Sequence, residues 1–268
     1  MKKIIKSIFT FALVGAMAFG LVGCGNNKIK NSMEKEELVL GFDDTFVPMG
    51  FKDENGEIVG FDIELAKAIG DKLGKEIKFQ PIDWSMKETE LNNGNIDFIW
   101  NGYSITEERK EKVEFSRPYL NNRQVIITLV NSKINSKDDL KDKVVGAQNQ
   151  SSATDAIESD GDRVDTFKDG KIVTFDTNNE ALMDLEAGRL DAVVADEILA
   201  KYYIKQRGSD KYKVLTEDFG KESYGVGMRK DDKELVEAFN KAFEEIVKEG
   251  KAAEISRKWF GDDIIANK

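Results

Sequence analysis

Short apolar runs alternate with stripes of helical period along most of this chain, and that alternation confines it to an α/β architecture. Residues 38–42 form an apolar run of strand length, and Phe61, Leu65, Ile69 and Leu73 then recur every four residues, which predicts an amphipathic helix ending near Gly74. Strands are expected at 76–79 and 96–100, with helices over 85–92 and 106–112. The scheme then repeats, with strands at 125–130, 144–147, 171–175 and 192–195 and helices at 152–158, 177–187 and 197–206.

One segment echoes another. Leu91-Asn-Asn-Gly94-Asn-Ile96-Asp97 parallels Leu185-Glu-Ala-Gly188-Arg-Leu190-Asp191, each reading as a helix closed by glycine and followed at once by a buried strand. The echo points to two similar α/β lobes, although helix, glycine and strand is also a common junction. Beyond it, Leu235, Phe239, Ala242 and Ile246 make an apolar stripe, Gly250 stops it, and Ile255 with Trp259 marks a further helix.

The N-terminal end carries a different signal. Lys2, Lys3 and Lys6 precede an apolar stretch at 8–21 that is too short for a bilayer span, the pattern of an export signal. Cys24, the only cysteine, stands directly behind Leu21-Val22-Gly23. This resembles the bacterial lipobox, which implies cleavage after residue 23 and a lipid on Cys24. Residues 24–36 are polar and aperiodic and read as a tether, with the folded unit starting near Glu37.

Composition then removes whole classes of chemistry. The chain has no histidine, so Ser-His and Cys-His catalysis are excluded and the commonest zinc ligand is missing. A single cysteine forms no internal disulfide. The net charge of −10, which becomes about −13 without the three leader lysines, argues against nucleic acid or an anionic surface as partner. About 245 mature residues can bury a core large enough for two lobes.

In open α/β sheets ligands collect beyond the carboxyl ends of the strands. The residues there are polar: Asp43 with Phe46, then Asn101, Gly102, Ser104 and Arg109, then Gln148, Ser151 and Ser152, and finally Asp196. Arg109 can grip a carboxylate through two parallel hydrogen bonds. Ser152, in the capping-box pattern Ser152-Ala-Thr-Asp155, opens a helix whose free amides also favour an anion. Asp196 can take an ammonium. Each has a plainer reading: Arg109 as helix surface, Ser152 and Asp196 as helix caps. Trp100 reads as core, whereas Trp84, in the polar context Asp83-Trp84-Ser85, reads as a ligand contact.

Gly60-Phe61-Asp62-Ile63-Glu64-Leu65-Ala66, Asp97 through Arg109, Phe115-Ser116-Arg117-Pro118-Tyr119 and Ala187-Gly188-Arg189-Leu190-Asp191-Ala192 resemble the polar amino acid binding proteins of bacterial ABC importers. The resemblance runs from about Val39 to Phe260. It implies a two-lobed periplasmic-binding-protein fold of type II with two hinge crossings, the first lobe comprising 37–121 and 224–268 and the second 122–223. It also implies that Arg109, Ser104 and Ser152 meet a ligand carboxylate, Asp196 its ammonium, and Asp43 with Phe46 the side chain, with Trp84 stacking on the ligand. The expected protein is an extracytoplasmic, lipid-anchored monomer without cofactor, handing a free amino acid to a permease with a cytoplasmic ATPase. With Arg109 and Asp196 balancing the zwitterion, Asp43 is left as an unmatched charge, so acidic ligands are disfavoured. Gln148 and Asn101 suit an amide such as glutamine, and arginine or lysine is the alternative. A dehydratase-type enzyme and a sensor module on the same fold are the rival classes.

Overall fold

The computed structural model describes residues 31–266. The export signal at 1–23, Cys24 and the first part of the expected tether lie outside the described residues. In chain order the elements are β1 (Glu37–Phe42), β2 (Thr45–Phe46), β3 (Gly50–Lys52), β4 (Ile58–Val59), α1 (Phe61–Leu73), β5 (Glu76–Pro81), α2 (Lys87–Asn92), β6 (Phe98–Ile99), α3 (Glu107–Lys112), β7 (Glu114–Phe115) and β8 (Leu120–Leu129). They continue with β9 (Val145–Gln148), α4 (Ser152–Glu158), α5 (Arg163–Thr166), β10 (Val173–Phe175), α6 (Asn178–Glu186), β11 (Ala192–Asp196), α7 (Glu197–Arg207), β12 (Tyr212–Tyr224), β13 (Gly227–Met228), α8 (Lys233–Lys248) and α9 (Lys251–Phe260).

Two five-stranded sheets organise these elements, in the orders β5-β1-β6-β13-β7 and β10-β9-β11-β8-β12. Within each, the strands that precede helices run parallel: β1 with β5 and β6, and β9 with β10 and β11. Both faces of each sheet are covered, as parallel sheets require. Leu38, Leu40 and Phe42 point into one apolar cluster while Val39 packs on another; Val193 and Ala195 likewise oppose Ala192 and Val194. That is the period of two expected of a strand. On α8, Leu235, Phe239, Ala242 and Ile246 are all buried, as their spacing predicts. Leu235, Phe239 and Ile246 are each worth about 1.5–3 kcal/mol of transfer free energy when fully buried.

The chain leaves the first sheet after β7 and returns to it at β13. Between them β8 and β12 pair antiparallel from Leu129↔Tyr212 to Leu120↔Tyr224, so a two-stranded ribbon joins the lobes. The echo in sequence is also an echo in space. Asp97 Oδ2 accepts the N–H of Val39 at 3.0 Å, and Asp191 Oδ2 accepts the N–H of Val144 at 2.8 Å, each carboxylate tying the start of its strand to a neighbouring one. Gly94 and Gly188 precede them at φ +79° and +70°, the left-handed turn that glycine adopts without strain.

The start of the fold differs from expectation. Ser32–Glu34 form a 3₁₀ turn capped by Asn31, and Ser32 is completely buried. Its N–H reaches Asp232 at 3.2 Å and its Oγ reaches Asp97 at 3.1 Å, while Lys35 Nζ pairs with Asp97 at 2.7 Å. Arg229 completes the cluster at 2.6 Å from Asp97. The packed chain therefore begins by residue 31 rather than near Glu37. The segment is held by polar groups, so no hydrophobic period announces it.

Candidate functional site

The loops that follow the parallel strands meet between the two sheets. Asp43 leaves β1, Phe46 lies on β2, Trp84 opens the 3₁₀ turn Trp84–Met86 after β5, and Asn101 with Gly102 follows β6. From the other lobe come Gln148 at the end of β9, Ser151 and Ser152 at the start of α4, and Asp196 at the end of β11. Phe46, Trp84, Asn101, Gly102, Arg109, Gln148, Ser151, Ser152 and Asp196 line one narrow cavity of about 10 Å³, with the lobes drawn together around it. Of the expected site residues, Asp43 and Ser104 do not line it; each is bonded to a residue that does.

Arg109 is not helix surface. It is 4% exposed, although its helix neighbours Glu107, Glu108 and Lys110 are exposed. Thr106 caps α3 by accepting the Arg109 N–H, which turns the side chain inward over the Tyr103 ring at 4.7 Å. Its guanidinium donates to the carbonyls of Ser104 at 3.1 Å and of Gln150, in the other lobe, at 3.3 Å. Those bonds leave part of a five-donor fork for another partner.

Asp196 is the N-cap of α7 by position, yet its side chain makes no capping bond. Oδ1 instead accepts from Asn122 Nδ2 at 2.6 Å, Gln124 Nε2 at 3.0 Å and the Tyr224 hydroxyl at 2.5 Å, and none of the three goes to Oδ2. Burial first, and the neighbouring Glu222 carboxylate second, push the Asp196 carboxyl well above the usual carboxylate range.

Ser152 corrects the capping-box expectation. Ser151 is the N-cap and makes no side-chain cap, and the Ser152 hydroxyl spans the lobes to Ser104 Oγ at 2.9 Å while accepting from Gln124 at 3.0 Å. A hydroxyl with an acceptor-rich neighbour across the cleft has a better partner than its own backbone.

Asp43 is the second correction. Its carboxylate is not unmatched: Thr45 donates to Oδ1 through both its N–H at 2.9 Å and its hydroxyl at 2.6 Å, and Gln148 donates to Oδ2 at 2.7 Å. Burial still outweighs these donors and raises its pKa. Gln148 is equally committed, donating to the Asp176 carbonyl at 2.9 Å and accepting from Asn178 at 2.8 Å. The buried groups at the cavity without a protein partner are Asn101 Nδ2 and Ser151 Oγ. Because Asn101 Oδ1 accepts from the Asp43 N–H at 3.1 Å, its amide orientation is fixed with the NH₂ group left over.

Trp84 lines the cavity at 8% exposure and meets Tyr103 edge-on at 5.8 Å, whereas Trp100 is core, packed on Tyr119 and Phe239. Sequence reasoning missed Lys87, which is 2% exposed and donates to the carbonyls of Trp84 at 3.2 Å and Gln150 at 3.1 Å. Burial, then the charge of Arg109, lowers its pKa to about 8. Asn122, Gln124, Glu222 and Tyr224 on the β8–β12 ribbon were missed too. Their signal is the i, i+2 spacing that sets two polar residues on one face of each strand.

A cation from one lobe and a carboxylate from the other thus face a single narrow cavity with unspent valences. The arrangement is complementary in charge to a small molecule bearing both signs. Among the described residues no group of three or more acidic or thiol side chains is placed to hold a metal ion.

Comparison with known proteins agrees with this architecture. The L-cystine-binding protein TcyJ of Escherichia coli (strain K12) is 31% identical over 265 residues, spanning 94% of this chain and 96% of that one. The arginine-binding extracellular protein ArtP of Bacillus subtilis (strain 168) is 29% identical over 255 residues, spanning 95% and 98%. A solved ABC uptake transporter substrate binding protein from Streptococcus pneumoniae with bound histidine superposes with a TM-score of 0.86 at 42% identity, covering 91% of this chain and 99% of that one. Residues 38–262 match the bacterial extracellular solute-binding proteins, family 3, and the chain belongs to that family, with its two-lobed periplasmic-binding-protein fold.

Proposed function

We propose that this protein captures a free polar amino acid outside the cytoplasm and delivers it to a membrane permease driven by a cytoplasmic ATPase, acting as a binding protein and not as an enzyme. The observation that carries the reading is the pairing of Arg109 with Asp196 across one cavity: the guanidinium takes the ligand carboxylate and Asp196 Oδ2 takes the ammonium. Ser151 and Ser152 adjoin the carboxylate, and Phe46 and Trp84 wall the side chain. The protein works as a monomer, held at the membrane by a lipid on Cys24. Detergent partitioning tests the anchor, since a trimmed Cys24→Ala product that stayed in the detergent phase would rule it out.

A glutamine-like ligand is favoured by Asn101, whose spare Nδ2 donor suits an amide oxygen. A basic ligand is the second reading, supported by the Asp43 carboxylate behind the pocket and by a relative that binds arginine. A thermal-shift panel of glutamine, arginine, lysine, histidine, cystine and glutamate separates them. The preferred ligand at a hundred times its dissociation constant adds about 2.7 kcal/mol. Glutamate as the best ligand would refute the pocket assignment, and consumption of any amino acid during the assay would establish the enzyme reading instead.

A further inference from the structure

Behind Asp196 stands a second carboxylate that the zwitterion clamp does not need. Glu222 lies on β12, in register with Asn122 on β8. Its Oε1 accepts from Ser104 Oγ at 2.8 Å, Asn122 Nδ2 at 2.7 Å and Gln124 Nε2 at 2.9 Å. The last two nitrogens are the same ones that donate to Asp196 Oδ1, at 2.6 and 3.0 Å. Two carboxyl groups therefore share two amide donors, which holds Asp196 Oδ1 and Glu222 Oε1 side by side at the β8–β12 ribbon.

Two carboxyl groups on shared donors favour a proton on one of them, because two adjacent carboxylates repel in a buried site. The surrounding charges do not remove that preference. Arg109 approaches Ser104 through its carbonyl, and Arg123 turns away to Glu197 at 2.8 Å and Asp218 at 3.0 Å. Lys221 is exposed, and Asp155 across the adjoining groove adds a further negative group. The remaining titratable group facing the pair is the Tyr224 hydroxyl, which donates to Asp196. Unlike Asp196, which lines the closed cavity, Glu222 lines two grooves on the outer surface, one with Arg123 and Lys221 and one with Thr106 and Asp155.

We propose that Asp196 and Glu222 hold one proton between them in the free protein, and that an arriving ammonium displaces it through Glu222 to the outer surface. The inference rests on the reading that Asp196 receives the ligand ammonium. The exchange balances: the pair goes from one carboxylic acid and one carboxylate to two carboxylates, the ligand keeps its three ammonium hydrogens, and one proton leaves to solvent. Asp196 gains from this the full charge with which to hold the cation. Burial, and after it the Glu222 carboxylate, raise the Asp196 pKa, the same direction as the shared proton requires.

The test is calorimetric titration of the full chain with L-glutamine and with L-arginine at pH 6.5, in buffers of different ionisation enthalpy. Close to one proton is released per molecule bound, and affinity strengthens by up to about tenfold per pH unit while the pair titrates. Glu222→Gln binds with release near zero and a flat pH profile. Lys87 cannot mimic this, since a carboxylate arriving beside it would favour proton uptake. Binding without proton release overturns the proposal and leaves the amino acid reading intact. Failure of both probes to bind weakens that reading, and infrared difference spectra of the free protein then decide the pair. Wild type minus Glu222→Gln shows a protonated carboxyl band at pH 6.5, Asp62 cancelling between the two, and its absence refutes the shared proton.

Discussion

Gln148 Nε2 donates to Asp43 Oδ2 at 2.7 Å, a bond from the end of β9 in one lobe to the loop after β1 in the other. Contacts to Asp176 and Asn178 fix the Gln148 amide, so the bond is made only when the lobes stand close. Asp43→Ala and Gln148→Ala should each weaken amino acid binding by about 1.5–3 kcal/mol, the range for hydrogen bonds to a charged group. The double variant should lose less than the sum. A calorimetric cycle with a coupling under about 0.5 kcal/mol would show the contact to be idle.

Arg109→Ala should cost about 2–5 kcal/mol of binding, since it leaves the ligand carboxylate buried beside too few donors. Arg109→Lys should fall between the two, because it keeps the charge and loses the fork. Wild-type affinity in both variants would move the carboxylate subsite elsewhere.

Asp62 offers a pH test of stability. Fully buried on α1, it accepts the Gly102 N–H at 2.8 Å and the Tyr119 hydroxyl at 2.9 Å, and burial raises its pKa from 3.8 to about 7. The folded state therefore keeps a proton that the unfolded chain loses. Its contribution is complete below pH 3.8 and disappears as pH rises through 7, with a slope of at most about 1.4 kcal/mol per pH unit. Asp62→Asn should flatten that slope in denaturant titrations between pH 5 and 8. Parallel curves for the two proteins would mean that Asp62 is ionised throughout.

Removing residues 31–36 should destabilise the protein by about 2–4 kcal/mol, because Asp97, Arg229 and Asp232 lose the buried Ser32 and the half-buried Lys35 as partners. A chain beginning at Asn31 should retain full stability, and amino acid affinity should be the same in both. Equal thermal midpoints would make the N-terminal turn dispensable.

The sequence showed most clearly what depends on apolar period. Helix α1 spans Phe61–Leu73, the stripe of Phe61, Leu65, Ile69 and Leu73, and α4 spans Ser152–Glu158 as expected. The thirteen-residue β12 was invisible, because an edge strand with the sequence Tyr212-Lys-Val-Leu-Thr-Glu-Asp-Phe-Gly-Lys-Glu-Ser-Tyr224 exposes charge on much of its length. Missing it hid Glu222 and Tyr224, whose position opposite Asn122 and Leu120 depends on register with β8. Lys87 was hidden for a related reason: a lysine at a helix start reads as surface, and only the fold reveals the carbonyls of Trp84 and Gln150 around it. Asp196 was legible as a charge at the end of a strand, whereas Arg109 stands among other charges on α3 and only the fold shows its inward turn.

The turn at Ser32–Glu34 also fixes which half of the molecule a load on the N-terminal end reaches first. Tension applied at Asn31 passes first into Asp97 ahead of β6 and into Arg229 and Asp232 between β13 and α8, all built on the first sheet. The second sheet connects to that frame through the β8–β12 ribbon. With the proposed lipid on Cys24 as leash, the first lobe becomes the stator and the second the rotor, and a swing about the ribbon is a swing of the half farther along the load path.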